Sequence, residues 1–388
     1  MKLVAVLLLA VGVALAAQEY VEGEYFLSLT DNVNENVFIH RIKTNYKLDF
    51  IKSYHIGNLR LLLVKGEEGD VVRASKLSEV KYWDRNMIFH TLQCAEQPNP
   101  GTWGLDRIDQ TAALPYSEPT SPDATYTYGE DDGANSYAYV VDSGIDTDHG
   151  DFGGRAIWGM TAGDLRPGTD DNGHGTHCAG TIGSNSYGVA KQSTIVAVKV
   201  MNALGSGTTA DIVEGLEWVL TDHNSRPDAR SVVNLSLGGS GTNLPMENAV
   251  QNLIDGGVTA CIAAGNSDAD ACNYSPARVP DAITVGASDI NDWSATFTNY
   301  GTCLDLFAPG VDILSTVPGD DTDVYDGTSM ATPHVAGVVA RYMSSQGSAP
   351  SPAAVRDYLV NTATADALTF RVGHGSSPNL LLYAGCPM

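Results

Sequence analysis

Short apolar runs alternate with amphipathic segments from about residue 103 to the end of the 388-residue chain. Apolar runs this short are typical of strands buried on both faces of a sheet, and the helical spacing between them is typical of helices packed on it. Strands that alternate with helices predict a parallel α/β sheet. The predicted strands are 137–141, 194–200, 232–235, 258–263 and 282–285, and the predicted helices are 176–182, 209–223 and 244–255.

Residues 18–94 have a different pattern, which predicts a smaller and separate domain. They are richer in Lys and Arg than the rest of the chain. Their order of strand, helix, strand, strand, helix and strand predicts a ferredoxin-like α+β fold. The predicted strands are 25–29, 50–55, 60–64 and 88–92, and the predicted helices are 33–44 and 71–85.

Residues 95–102, AEQPNPGT, are polar and contain proline and glycine, which predicts a linker. A small module, a linker that can be cut and a large α/β module at 103–388 together suggest an inhibitory propeptide in front of an enzyme. We expect the cut near Gln93–Glu96.

The chain begins with the pattern of a secretory signal peptide. Residues 1–17 carry one positive charge, an apolar core and small residues near the end, which predicts cleavage at Ala16 or Ala17. The apolar core is shorter than a membrane-spanning helix, and no later segment is long and apolar enough to be one. We therefore expect a secreted, extracellular protein without a membrane partner.

Acidic residues outnumber basic ones by 46 to 22, which gives a net charge of −24 and a pI near 4.5. We expect no nucleic-acid partner, because phosphate binding needs clustered Lys and Arg. The carboxylates favour solubility, and some of them could hold calcium, which is available outside cells. With 43% apolar and 18% charged residues, the chain is expected to be globular, and we expect a monomer.

The run DGTSMATPHVAG at 326–337 places Ser329 at the start of a predicted helix. A serine in that position is most often a helix N-cap. It is also well placed to be a nucleophile, because the unpaired N–H groups of the first helical turn can stabilise an oxyanion. A base, an orienting acid and a further oxyanion donor would decide between these interpretations.

Three other residues lie at strand ends or helix starts of the same module. Asp142 ends the predicted strand at 137–141, at the edge where parallel sheets place their sites, although a turn aspartate looks the same. His174 lies between glycines at a helix start, and His177 three residues later leaves a metal pair as an alternative. Asn266 follows the predicted strand at 258–263 as a turn residue or as a neutral donor for an oxyanion.

The chain order Asp142, His174, Ser329 is that of a serine protease triad of the subtilisin type. The chain resembles the subtilisin-like serine proteases, and most closely their proteinase K and aqualysin subfamily, over about residues 100–385. The motifs that carry the resemblance are DSGID (142–146), HGTHCAGT (174–181), SLGG (236–239), AAGN (263–266) and GTSMATPHVAG (327–337).

The resemblance implies a broad serine endopeptidase that is made as a self-processing zymogen and acts on polypeptides. Ser329 would be the nucleophile, His174 the general base and Asp142 its orienting acid, with Asn266 in the oxyanion hole. No cofactor is implied for catalysis. His177 would be structural, and Cys178 would be the free cysteine of this subfamily.

A substrate-binding region also follows from the resemblance, with an apolar or aromatic P1 preference. Tyr274 matches its floor, while Asp270, nearby in sequence, leaves open an acid in the pocket. The remaining residues are Ser236, Leu237, Gly238, Ala263, Ala264 and Gly265 in the two pocket walls, and Gly205, Ser206 and Gly207 in the edge segment that would pair with substrate.

Two structural calcium sites are implied as well. Asp106, Asp109 and Gln110 occupy one face of a predicted helical turn, which by pattern alone could be only an exposed polar face. Asp305 would form the second site together with the carbonyl groups of Pro280 and Ala282, because oxygen ligands suit Ca²⁺.

Six cysteines lie at 94, 178, 261, 272, 303 and 386. Their spacing alone does not decide which of them pair. The resemblance implies a disulfide between Cys272 and Cys303. Cys94 and Cys386 have no counterpart in the family, so that either they pair with each other or Cys94 leaves with the propeptide.

Two other functions compete with the protease. A secreted binding protein could keep its propeptide bound and never turn over substrate, although the complete set of Asp142, His174, Asn266 and Ser329 favours an enzyme. A lipase or esterase is disfavoured, because Ser329 lacks the G-x-S-x-G turn and the matching residue order.

Overall fold

The structure is a computed structural model that describes residues 20–31, 33–87, 94–121, 124–129, 132–226 and 228–386. The predicted signal peptide and the strand predicted at 88–92 lie outside these residues. The chain divides into two compact units, Met1–Thr91 and Leu92–Met388. Within the described ranges, no helix has the length and apolar character needed to cross a bilayer.

The first unit has the predicted order of elements. Its four strands form an antiparallel sheet in the order β2-β3-β1-β4, and residues of both helices are buried with the sheet in one apolar core. The elements are β1 (Tyr20–Leu29), α1 (Glu35–Tyr46), β2 (Asp49–Ile56), β3 (Leu59–Lys65), α2 (Glu68–Ala74) and β4 (Val80–Met87).

The helix predicted over 71–85 is wrong beyond Ala74, because α2 ends there and β4 begins at Val80. Val80, Tyr82 and Trp83 are β-branched or aromatic residues that suit a pleated strand. Trp83 lies opposite Leu27 of β1 in the antiparallel register. The tertiary pairing with β1 therefore overrides the helical spacing of this segment.

The second unit contains the predicted parallel α/β sheet. Nine strands follow the order β18-β19-β15-β14-β12-β10-β7-β9-β8, and all neighbouring pairs are parallel except β18 with β19. The strands are β5 (Cys94–Pro98), β6 (Thr125–Gly129), β7 (Ser136–Asp142), β8 (Ala156–Thr161), β9 (Thr194–Lys199), β10 (Arg230–Leu235), β11 (Gly239–Ser240), β12 (Thr259–Ala263), β13 (Tyr274–Ser275), β14 (Ile283–Ser288), β15 (Leu306–Pro309), β16 (Ile313–Val317), β17 (Asp321–Tyr325), β18 (Thr364–Ala365) and β19 (Leu380–Leu381).

Helices lie in two layers around this sheet. Residues of α4 and α7 belong to one apolar core, and residues of α5 and α6 belong to a second core that shares other residues of the same strands. The helices are α3 (Trp103–Ile108), α4 (His174–Gly183), α5 (Thr209–Asn224), α6 (Leu244–Asp255), α7 (Thr328–Ser344) and α8 (Pro352–Thr362). This arrangement confirms the predicted fold class, and it brings the carboxyl ends of β7, β10 and β12 to one edge.

The segment 95–102, which is predicted to be a linker, contains regular structure at its start. Residues Cys94–Pro98 form β5, which pairs antiparallel with β6. Cys94 also forms a disulfide with Cys386, which joins β5 to the C-terminal tail. Proline is compatible with this position because β5 is an edge strand of a two-stranded sheet. The segment therefore belongs to the second unit.

The remaining cysteines divide into one pair and two free thiols. Cys272 and Cys303 form a disulfide, which is the pairing that the family resemblance implies. Cys178 and Cys261 are free and buried.

Candidate active site

Asp142 and His174 form the best-defined polar contact at the carboxyl edge of the sheet. Asp142 is the last residue of β7, and its side chain is fully buried. Both carboxylate oxygens lie within hydrogen-bond distance of His174 Nδ1, at 2.8 and 2.9 Å. Because Nδ1–H donates to the carboxylate, Nε2 is the nitrogen left to act as a base. Burial opposes the charged imidazole, but the charge and hydrogen bond of Asp142 outweigh it and raise the pKa of His174.

A second buried acid, Asp170, fixes the start of the helix that carries His174. Its Oδ1 accepts from the backbone N–H groups of Asn172 and Gly173, and its Oδ2 accepts from the N–H and hydroxyl groups of Thr176. The hydroxyl of Ser143, directly after Asp142, donates to Asp170 at 2.9 Å. The bonds to Thr176 satisfy one of the free N–H groups in the first turn of α4, and the bond from Ser143 ties that turn to the end of β7.

The close approach of α4 to β7 requires a glycine after His174. A Cβ atom at Gly175 would lie 2.1 Å from the carbonyl oxygen of Gly144. The Gly175 N–H donates to the Ser143 hydroxyl at 2.9 Å. Any larger side chain would push the helix, and His174 with it, away from Asp142.

Ser329 is the second residue of α7 and is partly exposed. Its hydroxyl donates to the carbonyl oxygen of Ser236 at 3.2 Å. If the hydroxyl exchanged this bond for one to His174 Nε2, that nitrogen could take its proton; such bonds are often looser before a substrate binds.

A proline in α7 determines the surroundings of the Ser329 carbonyl. Pro333 has no N–H, so the carbonyl of Ser329, four residues earlier, has no helical partner there. It accepts instead from the Ser236 hydroxyl at 2.9 Å and from the Cys178 thiol at 3.4 Å. Burial raises the pKa of the Cys178 thiol, which keeps it protonated as a donor.

Asn266 lies beside Ser329 with its side chain held in one orientation. The carbonyl oxygen of its amide accepts from the Thr328 N–H at 2.9 Å and from the Thr328 hydroxyl at 2.8 Å. Since the oxygen is taken, the amide –NH₂ is the group left for a ligand in the cleft.

A cavity of about 480 Å³ adjoins Ser329 and His174. Of the residues predicted to bind substrate, all but two line it; the exceptions are Ser206 and Gly207, which are exposed next to the lining residue Gly205. None of the described residues around the cavity is Asp, Glu, Lys or Arg. The lining residues are Asn172, His174, Met201, Gly205, Ser236, Leu237, Gly238, Gly239, Ser240, Ala263, Ala264, Gly265, Asn266, Ser267, Tyr274, Ser275, Ala277, Thr328 and Ser329.

Asp270, the alternative acid for the pocket, is not among these lining residues. Its carboxylate accepts from the Cys272 N–H at 2.9 Å and caps the short helical turn Ala271–Asn273. Its role is therefore local capping.

The alternative of a metal pair at His174 and His177 is not supported by the surroundings of His177. The His177 ring stacks on Tyr325 with 4.3 Å between centroids, and Nε2 lies 3.0 Å from the carbonyl oxygen of Ile313. Burial lowers the pKa of His177 to about 4, which keeps the ring neutral. His174 instead uses Nδ1 for Asp142.

The first implied calcium site has donors that suit a hard cation. Asp106 is buried and Asp109 lies near enough for its charge to matter; burial, together with Asp106, raises the pKa of Asp109 to about 6. Gln110 donates to Asp106 Oδ1 at 2.9 Å, and the Thr127 N–H donates to Asp109 at 2.6 Å. Among the described residues, neither carboxylate forms an ion pair. These residues fit Ca²⁺, since a cation would add positive charge to that of Arg107 and Arg341, which act on the two carboxylates without forming ion pairs with them.

The second implied site, at Asp305, does not fit calcium. Arg356 Nη2 and Nε lie 2.6 and 2.7 Å from one oxygen of the Asp305 carboxylate, and the Thr284 N–H donates to the other at 2.8 Å. Burial raises the pKa of Asp305, and the Thr284 and Arg356 contacts oppose that rise. Because a guanidinium already contacts this carboxylate, Asp305 with the carbonyl groups of Pro280 and Ala282 is not carried forward as a calcium site.

Thr328 and Asp170 are two residues of the site whose roles the sequence motifs did not predict. Thr328 lies inside the same motif as Ser329, but its contact with Asn266 joins residues 62 positions apart. Asp170, four residues before His174 in a polar run, has the signature of a helix start and could have been found from it.

Known proteins resemble this chain over most of its length. Residues 134–375 match the Peptidase S8 model, which describes the subtilase family. The subtilisin-like serine protease Pen c 2 of Penicillium citrinum is 40% identical over 354 residues, which are 86% of this chain and 76% of that protein. The subtilisin-like serine protease pepC of Aspergillus niger is 42% identical over 311 residues, which are 75% of this chain and 57% of that protein.

A solved structure adds a comparison of the fold. A cold-adapted subtilisin-like serine proteinase matches with a TM-score of 0.66 at 42% identity, and the match covers 74% of this chain and 98% of that one.

Proposed function

Because the chain belongs to the subtilase family of serine proteases, we propose that it is a secreted serine endopeptidase made as a self-processing zymogen. The observation that supports this most strongly is the Asp142–His174 pair beside Ser329 and Asn266 at one edge of the sheet. Its substrates are polypeptides outside the cell.

Ser329 attacks the carbonyl carbon of the scissile peptide while His174 Nε2 takes the hydroxyl proton. His174 then gives that proton to the leaving amine. A water molecule next attacks the acyl-enzyme with His174 again as the base, which releases the product and restores Ser329. Asp142 holds the imidazole in the required tautomer and stabilises its charged form. The Asn266 –NH₂ and the N–H of Ser329 at the helix start bind the oxyanion as it develops.

Replacing Asp142 tests this mechanism through the pH dependence of kcat/KM. For the wild type, kcat/KM should fall at low pH because His174 takes a proton. Since Asp142 raises the pKa of His174, this fall should begin at a higher pH than for a free histidine. Asp142→Asn should lower kcat by about 10⁴-fold and shift the acid limb to lower pH. Rates on a peptide anilide across the pH range measure both effects.

Ser329→Ala is the control for catalysis by the site. In an assay of casein clearing, this variant should clear none. Equal clearing by this variant and by the wild type would exclude the proposed mechanism. A wild type that never clears casein, even after incubation with calcium, would support the secreted binding protein that retains its propeptide.

The uncharged lining of the cavity supports a P1 preference for apolar and aromatic side chains. No charge is present there to pair with a basic or acidic P1 residue, and burial of an apolar side chain gains about 1.5–3 kcal/mol. Profiling the mature enzyme with a P1–P4 peptide library should therefore give Phe, Tyr, Leu and Ala well ahead of Lys, Arg, Asp and Glu. Preferred cleavage after charged residues would contradict this specificity.

The first unit is proposed to be the inhibitory propeptide, since it has its own apolar core and its own sheet. The maturation cut should fall before Cys94, because β5 and its disulfide begin at that residue. We expect N-terminal sequencing of the secreted enzyme to begin at or just before Cys94, and the Ser329→Ala variant to remain uncut.

Non-reducing mass spectrometry of the same material should find the peptides of Cys94 and Cys386 linked. Finding Cys94 on the released propeptide, or a fully active enzyme that begins near Gln18, would contradict this account of maturation.

Calcium is proposed to be held by Asp106, Asp109 and Gln110, where it would supply charge for the two acids. The pKa of Asp109 is raised to about 6, so above that pH its buried carboxylate is ionised and lowers the stability of the folded protein. The ionised carboxylate is also the form that binds calcium. Calcium should therefore raise the unfolding midpoint above about pH 6, and the gain should vanish as the pH falls through that value.

Unfolding of the Ser329→Ala protein, with calcium or a chelator on either side of that pH, measures this effect without autolysis. Asp109→Asn should remove the gain. Asp255→Asn, which changes an exposed carboxylate, should retain it. A calcium effect that is equal in both variants would exclude the site.

A further inference from the structure

A fully buried asparagine, Asn299, lies behind the loop that carries Asn266. Its Nδ2 donates to the carbonyl oxygen of Ala264 at 2.8 Å. Its Oδ1 accepts from the N–H groups of Ser267 and Ala269, at 3.0 and 3.2 Å. One side chain thus binds backbone groups on both sides of Asn266.

The backbone around Asn299 supports the same loop. The Asn299 N–H donates to the carbonyl oxygen of Gly265 at 2.8 Å, and the Tyr300 N–H donates to that of Ala269 at 3.0 Å. Gly265 has φ of +103°, and a Cβ atom there would lie 2.4 Å from Asn299 Nδ2. Only glycine therefore permits this approach, and the contact leaves the loop little freedom.

Asn266 is consequently held from two directions. Asn299 fixes the backbone before and after it, and Thr328 fixes the carbonyl oxygen of its side chain. The remaining –NH₂ group has a defined position before any substrate arrives. Preorganised donors stabilise an oxyanion because they need no rearrangement in the transition state.

We propose that Asn299 is a positioning residue for catalysis, which acts by fixing the loop Ala264–Ala269 so that Asn266 meets the developing oxyanion. This inference rests on the proposed role of Asn266. Asn299 touches no reacting atom itself. It takes no part in the cavity lining, and its effect reaches the substrate only through the loop.

Asn299→Ala tests the proposal by removing all three side-chain bonds. Removal of an oxyanion donor itself costs about 10²–10³-fold in kcat, so displacing that donor should cost about 10-fold or more. KM should change less than kcat, since the pocket walls remain. Asn379→Ala is a matched control, because Asn379 also binds two backbone groups of one loop residue, Leu368, away from the cleft.

The double variant Asn266→Ala/Asn299→Ala separates positioning from a general loss of structure. If Asn299 acts through Asn266, its removal should lower kcat less than about 2-fold once Asn266 is absent. An equal loss in both backgrounds, or no loss in Asn299→Ala, would overturn the proposal. Unchanged kcat in Asn266→Ala alone would instead overturn the proposed oxyanion role.

Asn299→Asp carries the test if Asn299→Ala does not fold. It keeps the acceptor for Ser267 and Ala269, but at a pH where the new carboxyl is ionised its second oxygen replaces the donor to the Ala264 carbonyl oxygen and repels it. Its kcat at that pH should therefore fall. Wild-type kcat in folded Asn299→Asp, with active sites titrated, would show that the bond to Ala264 does not position Asn266.

Discussion

The site depends on a buried negative charge at the end of β7. Asp142 has no exposure to water, so its carboxylate needs donors from the protein, and His174 and the Ser143 N–H supply them. An unpaired charge in that position would be costly. The start of α4 must therefore approach the sheet edge closely, which in turn requires Gly175 and the capping by Asp170. The geometry of the histidine follows from the need to satisfy the aspartate.

The backbone carbonyl of Ser329 also needs hydrogen-bond partners from outside its own helix. Pro333 frees the carbonyl of Ser329 from the helix, and the side chains of Ser236, which directly follows β10, and of Cys178 in α4 bind it. The start of α7 is thus joined by polar contacts to the segments that carry His174 and the pocket wall. The N–H groups of Thr328 and Met330 have partners at this helix start, so the Ser329 N–H is the one placed to meet a substrate carbonyl.

Most of the sheet was predictable from sequence because its strands are buried on both faces and therefore appear in the sequence as short apolar runs. The motif residues lie at the end of β7 and at the starts of α4 and α7, so the predicted fold also indicated where the candidate site would lie. The end of α2 was not predictable, because pairing with β1 decides it. Asn299 and Arg356 were missed for a similar reason: their partners lie far away along the chain, and only the folded topology brings them together.

The bond between Cys94 and Cys386 has a consequence for a protease that meets copies of itself. Chain ends fray first and are the easiest segments to draw into an active-site cleft as extended strands. If maturation leaves Cys94 near the new amino terminus, the disulfide holds that terminus to the segment around Cys386, and β5 holds it to β6. A neighbouring copy of the enzyme then meets an amino terminus that cannot easily be drawn into its cleft.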